Sequence, residues 1–208
     1  MTVAEYQARP WQGRLAYRLF RQPLVMFGLG PVFAMLIEPR LVRRGTRSRM
    51  RNSLLGTNAA LAVIAAALCW LIGWEDLLIV WAPPALLAGS VGIWLFYVQH
   101  QFENVNWQRN HEWSYTDAAL RGSSYLKLPK VLQFFTANIG LHHVHHLNSR
   151  IPNYNLQRAH DTNVIFAGVP TVSIRDGLRA VNLKLWDENT GQLVTFAQAN
   201  PRPQPALR

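Results

Sequence analysis

The sequence predicts a mainly α-helical integral membrane protein, in which a transmembrane helical hairpin leads into a cytoplasmic, histidine-rich helical region. Two long apolar runs with a short polar break between them predict the hairpin. Four histidines within five positions predict the histidine-rich region. The charged fraction of 15% fits a membrane protein, because about 25% is usual in soluble proteins.

Residues 1–51 are expected to form a cytoplasmic or interfacial lead, within a single domain that extends over residues 1–208. A third apolar run, at residues 23–37, lies in this lead. It is shorter than the roughly 20 residues that a transmembrane helix needs. We therefore expect a tilted, re-entrant or interfacial segment there.

Residues 52–102 are predicted to form the hairpin. No residue from 52 to 74 is charged, and from 77 to 102 the only ionisable side chains are Tyr97 and His100. At about 1.5 Å per residue, each run as a helix is longer than the roughly 30 Å hydrocarbon core of a bilayer. The turn is expected at residues 74–76. The alternative is a pair of buried helices in a soluble protein, where charge-free runs beyond about 18 residues are uncommon.

The net charge of +10 is concentrated before the hairpin. Six arginines lie there: Arg40, Arg43, Arg44, Arg47, Arg49 and Arg51. By the positive-inside rule this side faces the cytoplasm, and an even number of crossings returns the histidine-rich region to the same side. Arginines next to a membrane contact anionic lipid headgroups. We therefore expect a membrane partner and no nucleic-acid partner, although a basic chain can also indicate nucleic-acid binding.

Residues 103–163 form the histidine-rich region, whose centre is the string LHHVHHL. Residues three and four apart share a helix face, so His142, His145 and His146 are expected to point one way and His143 another way. Imidazole is a common ligand of zinc, copper, iron and nickel. Burying four imidazoles without a metal would leave ring nitrogens unpaired, at about 1–3 kcal/mol each. The sequence therefore predicts a transition-metal site with these three histidines as ligands.

Other histidines are further candidates for this site. His100 lies at the predicted membrane edge, and Glu103, one helical turn later, is placed to orient its ring. His143 and His160 are possible additional ligands, since imidazole in general suits such metals. His111 is a weaker candidate of the same kind.

The segment before the histidines contains an apolar stretch with Phe134 and Phe135. Such a stretch usually packs in a core, but it can also line an apolar cavity or lie on a bilayer. Asn138 stands four residues before His142, where it is expected to cap the histidine helix or to donate to the site.

Residues 164–208 are expected to form a soluble tail. A short helix is predicted at residues 174–180. The string LKLWDENTGQLVTF predicts a β-hairpin that turns at residues 189–191, because two short apolar runs flank a turn sequence that contains glycine.

Several longer strings resemble one protein family. They are HQFE at His100, and GSSYLKLPKVLQFFTANIGLHHVHHLNSRIPNYNL at residues 122–156, with the shorter strings YRLFRQP, MFGLGP and LWDE. Together they resemble the C-terminal part of the membrane acyl-lipid fatty acid desaturases, of the Δ12 or omega-6 kind. His142, His145 and His146 match the family's third histidine box, HxxHH, and His100 matches an upstream position.

The resemblance implies a di-iron centre that is ligated almost wholly by histidine. It also implies that dioxygen is used, with electrons from a donor such as ferredoxin or a cytochrome b5-like protein, to introduce a double bond into a lipid acyl chain. An unactivated methylene C–H bond requires a strong oxidant, which a metal with dioxygen supplies and side chains do not.

The sequence departs from the family in lacking two earlier histidine boxes, since His100 is its first histidine. We therefore expect an N-terminally truncated desaturase, inactive by itself: a fragment, a mis-assigned start or a decayed gene. Two alternatives stay open. One is a non-catalytic membrane metal-binding protein or an inert remnant, and the other is a lipid hydroxylase or ketolase of the same superfamily.

Overall fold

The computed structural model describes residues 1–103, 105 and 114–199, and it is mainly α-helical, as the sequence predicts. These residues divide into two compact units. The first, here called the membrane unit, is Leu19–Trp94. The second, here called the histidine unit, consists of Met1–Arg18 and the described residues from Leu95 onward.

The membrane unit contains the two long apolar helices. They are α3, Ser48–Ile72, and α4, Trp74–His100, whose last residues belong to the histidine unit. Each is long and apolar enough to cross a membrane. A third span results if α2, Trp11–Phe20, and the helical stretch Val25–Arg40, which meet at a bend of 56°, are counted as one. This bent stretch covers the segment that was expected to be tilted, re-entrant or interfacial.

The break between α3 and α4 lies at Gly73, so its expected position at residues 74–76 is wrong. Gly73 has a φ of +85°, which glycine adopts without steric cost. Glu75 and Asp76 instead occupy the first turn of α4, where negative charge is stabilised by the helix dipole. The packing of α3 and α4 as an antiparallel hairpin stays a prediction.

Short helices make up most of the histidine unit. The α-helices are α1 Val3–Gln7, α5 Tyr115–Arg121, α6 Lys130–Phe135, α7 His142–Leu147, α8 Leu156–Thr162, α9 Ile174–Ala180 and α10 Phe196–Ala199. Three 3₁₀ turns join them, at Ile139–Leu141, Asn153–Asn155 and Val164–Phe166. Phe134 and Phe135 on α6 are each 78% exposed, so the interpretation of their stretch as core is wrong.

A two-stranded parallel sheet supports α7. Its strands are β1, Tyr125–Lys127, and β2, Thr171–Ser173, with Leu126 opposite Val172. Both of these side chains are buried. A core cluster adjoins α7 and consists of Leu141, Val144, Leu156 and Phe166. The histidine helix is therefore anchored by its apolar residues on one side.

The second sheet is the hairpin that the sequence predicts in the tail. Strands β3, Leu185–Asp187, and β4, Gln192–Val194, pair antiparallel, with Trp186 opposite Leu193. The predicted helix at residues 174–180 is also confirmed, as α9. Tyr6, in the first helix of the chain, packs with Leu185 of β3 in a second core cluster.

Candidate metal centre

Three histidines converge in the histidine unit. His100, His142 and His146, here called the three-histidine group, each offer a ring nitrogen, and these atoms all lie within 4.8 Å of one another. The Nε2 atoms of His100 and His146 are 3.2 Å apart. Two nitrogens that each lie about 2.1 Å from one metal ion are roughly 3 to 4 Å apart. Small rotations of the rings are therefore enough to bring all three to one ion.

His100 is placed by its neighbour Gln99, near the end of α4. The Gln99 side chain is fully buried, and its Nε2 donates to the carbonyl of Ile139 at 3.0 Å. The backbone carbonyl of Gln99 in turn accepts from the backbone N–H of Ser124 at 3.0 Å. The end of α4 is thereby fastened to the chain just before α7, and this fixes His100 opposite the histidine helix.

Gly140 allows the chain before α7 to lie against β1. A Cβ atom on Gly140 would be 2.4 Å from the carbonyl oxygen of Leu126, a distance that real Cβ atoms essentially never show. At the other end of α7, the hydroxyl of Tyr115 donates to the carbonyl of His146 at 2.6 Å. Both contacts fix the position of the helix that carries the histidines.

The Asn138 side chain does not cap α7, so that expectation is wrong. Asn138 has a φ of +58° and starts the preceding 3₁₀ turn, which leaves Leu141 as the N-cap residue of α7. Its Nδ2 donates instead to the carbonyl of Asn153 at 3.1 Å. A contribution of Asn138 to the metal site stays a prediction.

The environment of His142 suits a metal ligand. The residue is only 7% exposed, and among the described residues neither ring nitrogen has a hydrogen-bond partner. A buried polar atom without a partner costs about 1–3 kcal/mol. Imidazole nitrogens bind iron, zinc and copper, so a metal ion would supply the missing partner.

The protonation of the group also favours metal binding. Burial, helped by the nearby His146 and His100, lowers the pKa of His142 to about 3. Burial, helped by His145, also lowers the pKa of His146. Only the neutral ring has a free lone pair for a metal, and at neutral pH these lowered values keep both rings neutral.

His145 and His143 lie outside the three-histidine group. His145 is exposed, and its ring stacks on His142 with centroids 5.7 Å apart. His143 is fully buried and turns towards α8, where its Nε2 lies 2.9 Å from Nδ1 of His160. The ring of Phe166 packs edge-on against His143. Ligation by His143, His145 or His160 stays a prediction.

Glu103 is exposed and lines a 420 Å³ pocket with Asp176 and Arg179. The Nδ1 atom of His100 has no hydrogen-bond partner among the described residues, so in this part of the chain Glu103 does not bond to it. His111 lies outside the described residues. Orientation of His100 by Glu103 stays a prediction.

The sequence reasoning missed Gln99 and Tyr115. A signal existed for Gln99, because it is a polar residue beside His100 in an apolar run. Nothing in the sequence pointed to Tyr115, which reaches the site from 31 residues away along the chain.

Comparison with known proteins gives consistent matches. The family model for fatty acid desaturases matches residues 2–168. The chain is 45% identical over 196 residues to a protein of Bacillus subtilis (strain 168) named fatty acid desaturase, which covers 94% of this chain and 56% of that protein.

Two relatives come from Synechocystis sp. (strain ATCC 27184 / PCC 6803 / Kazusa). The sn-1 oleoyl-lipid 12-desaturase is 26% identical over 162 residues, which is 76% of this chain and 46% of that protein. The sn-1 acyl-lipid omega-3 desaturase (ferredoxin) is 29% identical over 122 residues, which is 57% of this chain and 32% of that protein. The chain thus spans about half the length, or less, of these curated relatives.

Proposed function

Because this chain belongs to the fatty acid desaturase family, we propose that it serves the dioxygen-dependent introduction of a double bond into a lipid acyl chain at a histidine-ligated di-iron centre. The observation that carries the proposal is the three-histidine group, whose ring nitrogens converge within the residues that the family model matches. Nitrogen ligands of this kind suit iron.

His100, His142 and His146 would hold one iron ion. His145 is the next candidate, because its exposed ring stacks on His142 and belongs to the HxxHH pattern. When bound, iron with dioxygen supplies the oxidising power that breaking an unactivated C–H bond requires. His143 faces the other side of α7, towards His160 on α8. The hydrogen bond between the two rings fits a role in supporting the histidine helix.

The chain's own residues contribute position and protonation state. Gln99 and Tyr115 fix the two elements that present the histidines, and a site held in place avoids the cost of reorganisation during the reaction. Burial lowers the pKa of His142 and of His146, so both rings stay neutral at neutral pH and are ready to bind metal. The apolar helices α3 and α4 would keep the protein in the bilayer, where lipid acyl chains lie.

The electron donor and the orientation are part of the proposal. One relative is named as ferredoxin-dependent, which supports ferredoxin or a cytochrome b5-like protein as the donor. The arginines before α3 support a cytoplasmic position for the histidine unit, by the positive-inside rule. In this proposal, the donor reaches the histidine unit from the cytoplasmic side of the membrane.

A second candidate function is a non-catalytic membrane site for a single metal ion. It has one observation in its favour, since the described residues bring together three histidines, enough for one ion. The formation of new double bonds in lipid acyl chains distinguishes a desaturase from this second candidate.

A chimera tests the desaturase proposal. The matching part of the Bacillus subtilis relative is replaced by this chain, and the chimera is expressed in a host without desaturases. We expect new double bonds in the host's membrane lipids, measured by gas chromatography of fatty acid methyl esters. The same chimera with H142A and H146A should give none. Equal activity of this variant would contradict the proposal, and a folded but inactive chimera that binds metal would favour the second candidate.

A further inference from the structure

A pocket of 370 Å³ lies directly after the histidine helix. Its polar lining consists of Asn148, Arg150, Asn155, Arg158 and Thr162. No carboxylate is among the described residues that line it. We call it the basic pocket, and its residues have no part in the metal site described above.

The basic pocket presents hydrogen-bond donors and positive charge. The Asn148 Oδ1 atom accepts from the backbone N–H of Arg150 at 3.1 Å, which leaves the amide N–H₂ group of Asn148 to donate to a ligand. Arg150 and Arg158 are both exposed, and neither forms an ion pair within the part of the chain that the structure describes. Two guanidinium groups and an amide, with no carboxylate among the lining residues, suit a phosphate group, which arginine binds through paired N–H donors.

Exposed aromatic side chains lie in the loop that lines this pocket and on α6, which is joined to that loop. Tyr154, next to Asn155 in the lining, is 75% exposed, and Phe134 and Phe135 on α6 are 78% exposed each. The hydrogen bond from Asn138 to the Asn153 carbonyl ties the end of α6 to the loop that forms the pocket's rim. Exposed aromatic side chains on two segments that are joined in this way are typical of a surface that lies on a membrane, with the aromatic rings near the headgroups.

We propose that the basic pocket binds the phosphate of a lipid headgroup. With α6 and Tyr154 on the bilayer surface, the pocket opens at the level where lipid phosphates lie. Asn148 and Arg150 follow His146 by two and four residues, so the headgroup is held beside the histidine helix. This inference concerns lipid binding and does not require a bound metal.

The test uses the whole chain, purified in a neutral maltoside detergent, and native mass spectrometry to measure lipid binding. The probes are phosphatidylglycerol, a galactolipid with the same acyl chains and no phosphate, inorganic phosphate, and a ferredoxin as the protein probe. The variant is R150Q/R158Q, and the matched control is R175Q/R179Q, which removes two exposed arginines from α9. Circular dichroism checks that both variants keep their helix content.

We expect saturable binding of phosphatidylglycerol that is about tenfold weaker in R150Q/R158Q, since charge-assisted hydrogen bonds are lost, and changed less than about twofold in the control. The galactolipid should bind more weakly than phosphatidylglycerol. In the unaltered chain, about 0.5 M salt should remove this preference by screening the exposed arginines, and this measurement does not depend on the folding of any variant.

Several results would overturn the proposal. These are unchanged phosphatidylglycerol binding in R150Q/R158Q, equal binding of the galactolipid, or a preference that persists at high salt. Binding of inorganic phosphate without binding of phosphatidylglycerol would assign the pocket to free phosphate. A tenfold loss of ferredoxin binding in R150Q/R158Q, with lipid binding unchanged, would make it a protein-docking site. Loss of iron from the three-histidine group alters none of these readouts, so the proposed function is tested separately.

Discussion

At the scale of single residues, His142 is the side chain whose chemistry and surroundings conflict most. Its ring is buried, and both ring nitrogens are without a partner among the described residues. An imidazole in this position destabilises the fold by itself and is useful as a ligand. Stability and metal binding should therefore respond to its replacement in opposite directions.

We expect H142L to raise the thermal stability of the metal-free chain, because it removes two buried nitrogens that cost about 1–3 kcal/mol each. The same variant should lose the stabilisation that added iron gives to the unaltered chain. Differential scanning fluorimetry in detergent measures both effects. H145L, at an exposed histidine of the same helix, serves as the control and should change the metal-free stability little. A lower metal-free midpoint in H142L would contradict this account of His142.

The lowered pKa values of the histidines predict a direction for the effect of acid. Burial lowers the pKa of His142 to about 3 and that of His143 to about 4, with His160 adding to the effect on His143. In the unfolded chain these groups titrate near about 6.5. As the pH falls below that value, the unfolded chain binds protons that the folded chain does not, which favours unfolding.

We therefore expect the thermal midpoint of the metal-free chain to fall steadily as the pH is lowered from about 7 towards 4, the window between the unfolded and folded pKa values. H142L should fall less steeply, since one of the responsible groups is gone. A midpoint that is constant or rises over this range would show that the histidines are not buried as the structure has them.

Residue by residue, the sequence was most informative where spacing along one helix decides the geometry. The LHHVHHL string predicted the helix, and His142 and His146 do lie on one side of it. The approach of His100 depends on tertiary contacts over more than forty residues, so the sequence could offer it only as a candidate at the membrane edge, which the family pattern then supported. Asn138 was misinterpreted because spacing did not reveal the 3₁₀ turn Ile139–Leu141, which separates it from the start of α7.

At the scale of elements, α7 is only six residues long and depends on its neighbours for its position. An isolated helix of this length is unstable in water. The chain before it runs against the carbonyl of Leu126, at a point where only Gly140 fits. The position of the histidines should therefore be sensitive to this one glycine.

We expect G140A to lower the unfolding free energy by about 1–3 kcal/mol, which is typical of overpacking, and to weaken iron binding, because α7 must move away from β1. The matched control is G168A, since no atom lies within 4 Å of a Cβ at Gly168. Urea titration and iron analysis measure the two effects. Equal behaviour of the two variants would show that the close approach at Gly140 does not position α7.

The helix boundaries show what composition can predict. The charge-free runs located both long helices, but α3 begins at Ser48 and includes Arg49 and Arg51. Arg49 and Arg51 can continue the helix because its first turn lies where charged side chains can reach polar surroundings. The break is at Gly73 because this residue ends α3 with a positive φ, which glycine adopts at no steric cost and which the positions of charged residues do not predict.

At the scale of the whole molecule, the exposed surface of α3 and α4 requires a partner. None of the residues in the 18-residue apolar stretch of α3 is buried, and exposed apolar surface of this extent is not stable in water. Membrane lipid is the partner that their length fits. The arginines before α3 predict which side of the membrane the histidine unit faces, namely the cytoplasmic side.

Cysteine labelling tests this orientation, since Cys69 is the chain's only cysteine. We expect N163C, in a C69S background, to react with a membrane-impermeant maleimide only after the cells are opened, because the histidine unit is proposed to be cytoplasmic. A cysteine at Trp74 in the same background should react in intact cells. Labelling of N163C in intact cells would contradict the proposed orientation.

The central claim is that His100, His142 and His146 hold an iron ion, and iron content tests it most directly. The chain is purified in detergent, supplied with ferrous iron without oxygen, freed of excess metal and analysed by elemental mass spectrometry. The account predicts at least about one iron ion per chain, lost in H142A/H146A and kept in D161N, which alters an exposed carboxylate in the same unit. Iron content unchanged in H142A/H146A, or no iron in the unaltered chain, would contradict it.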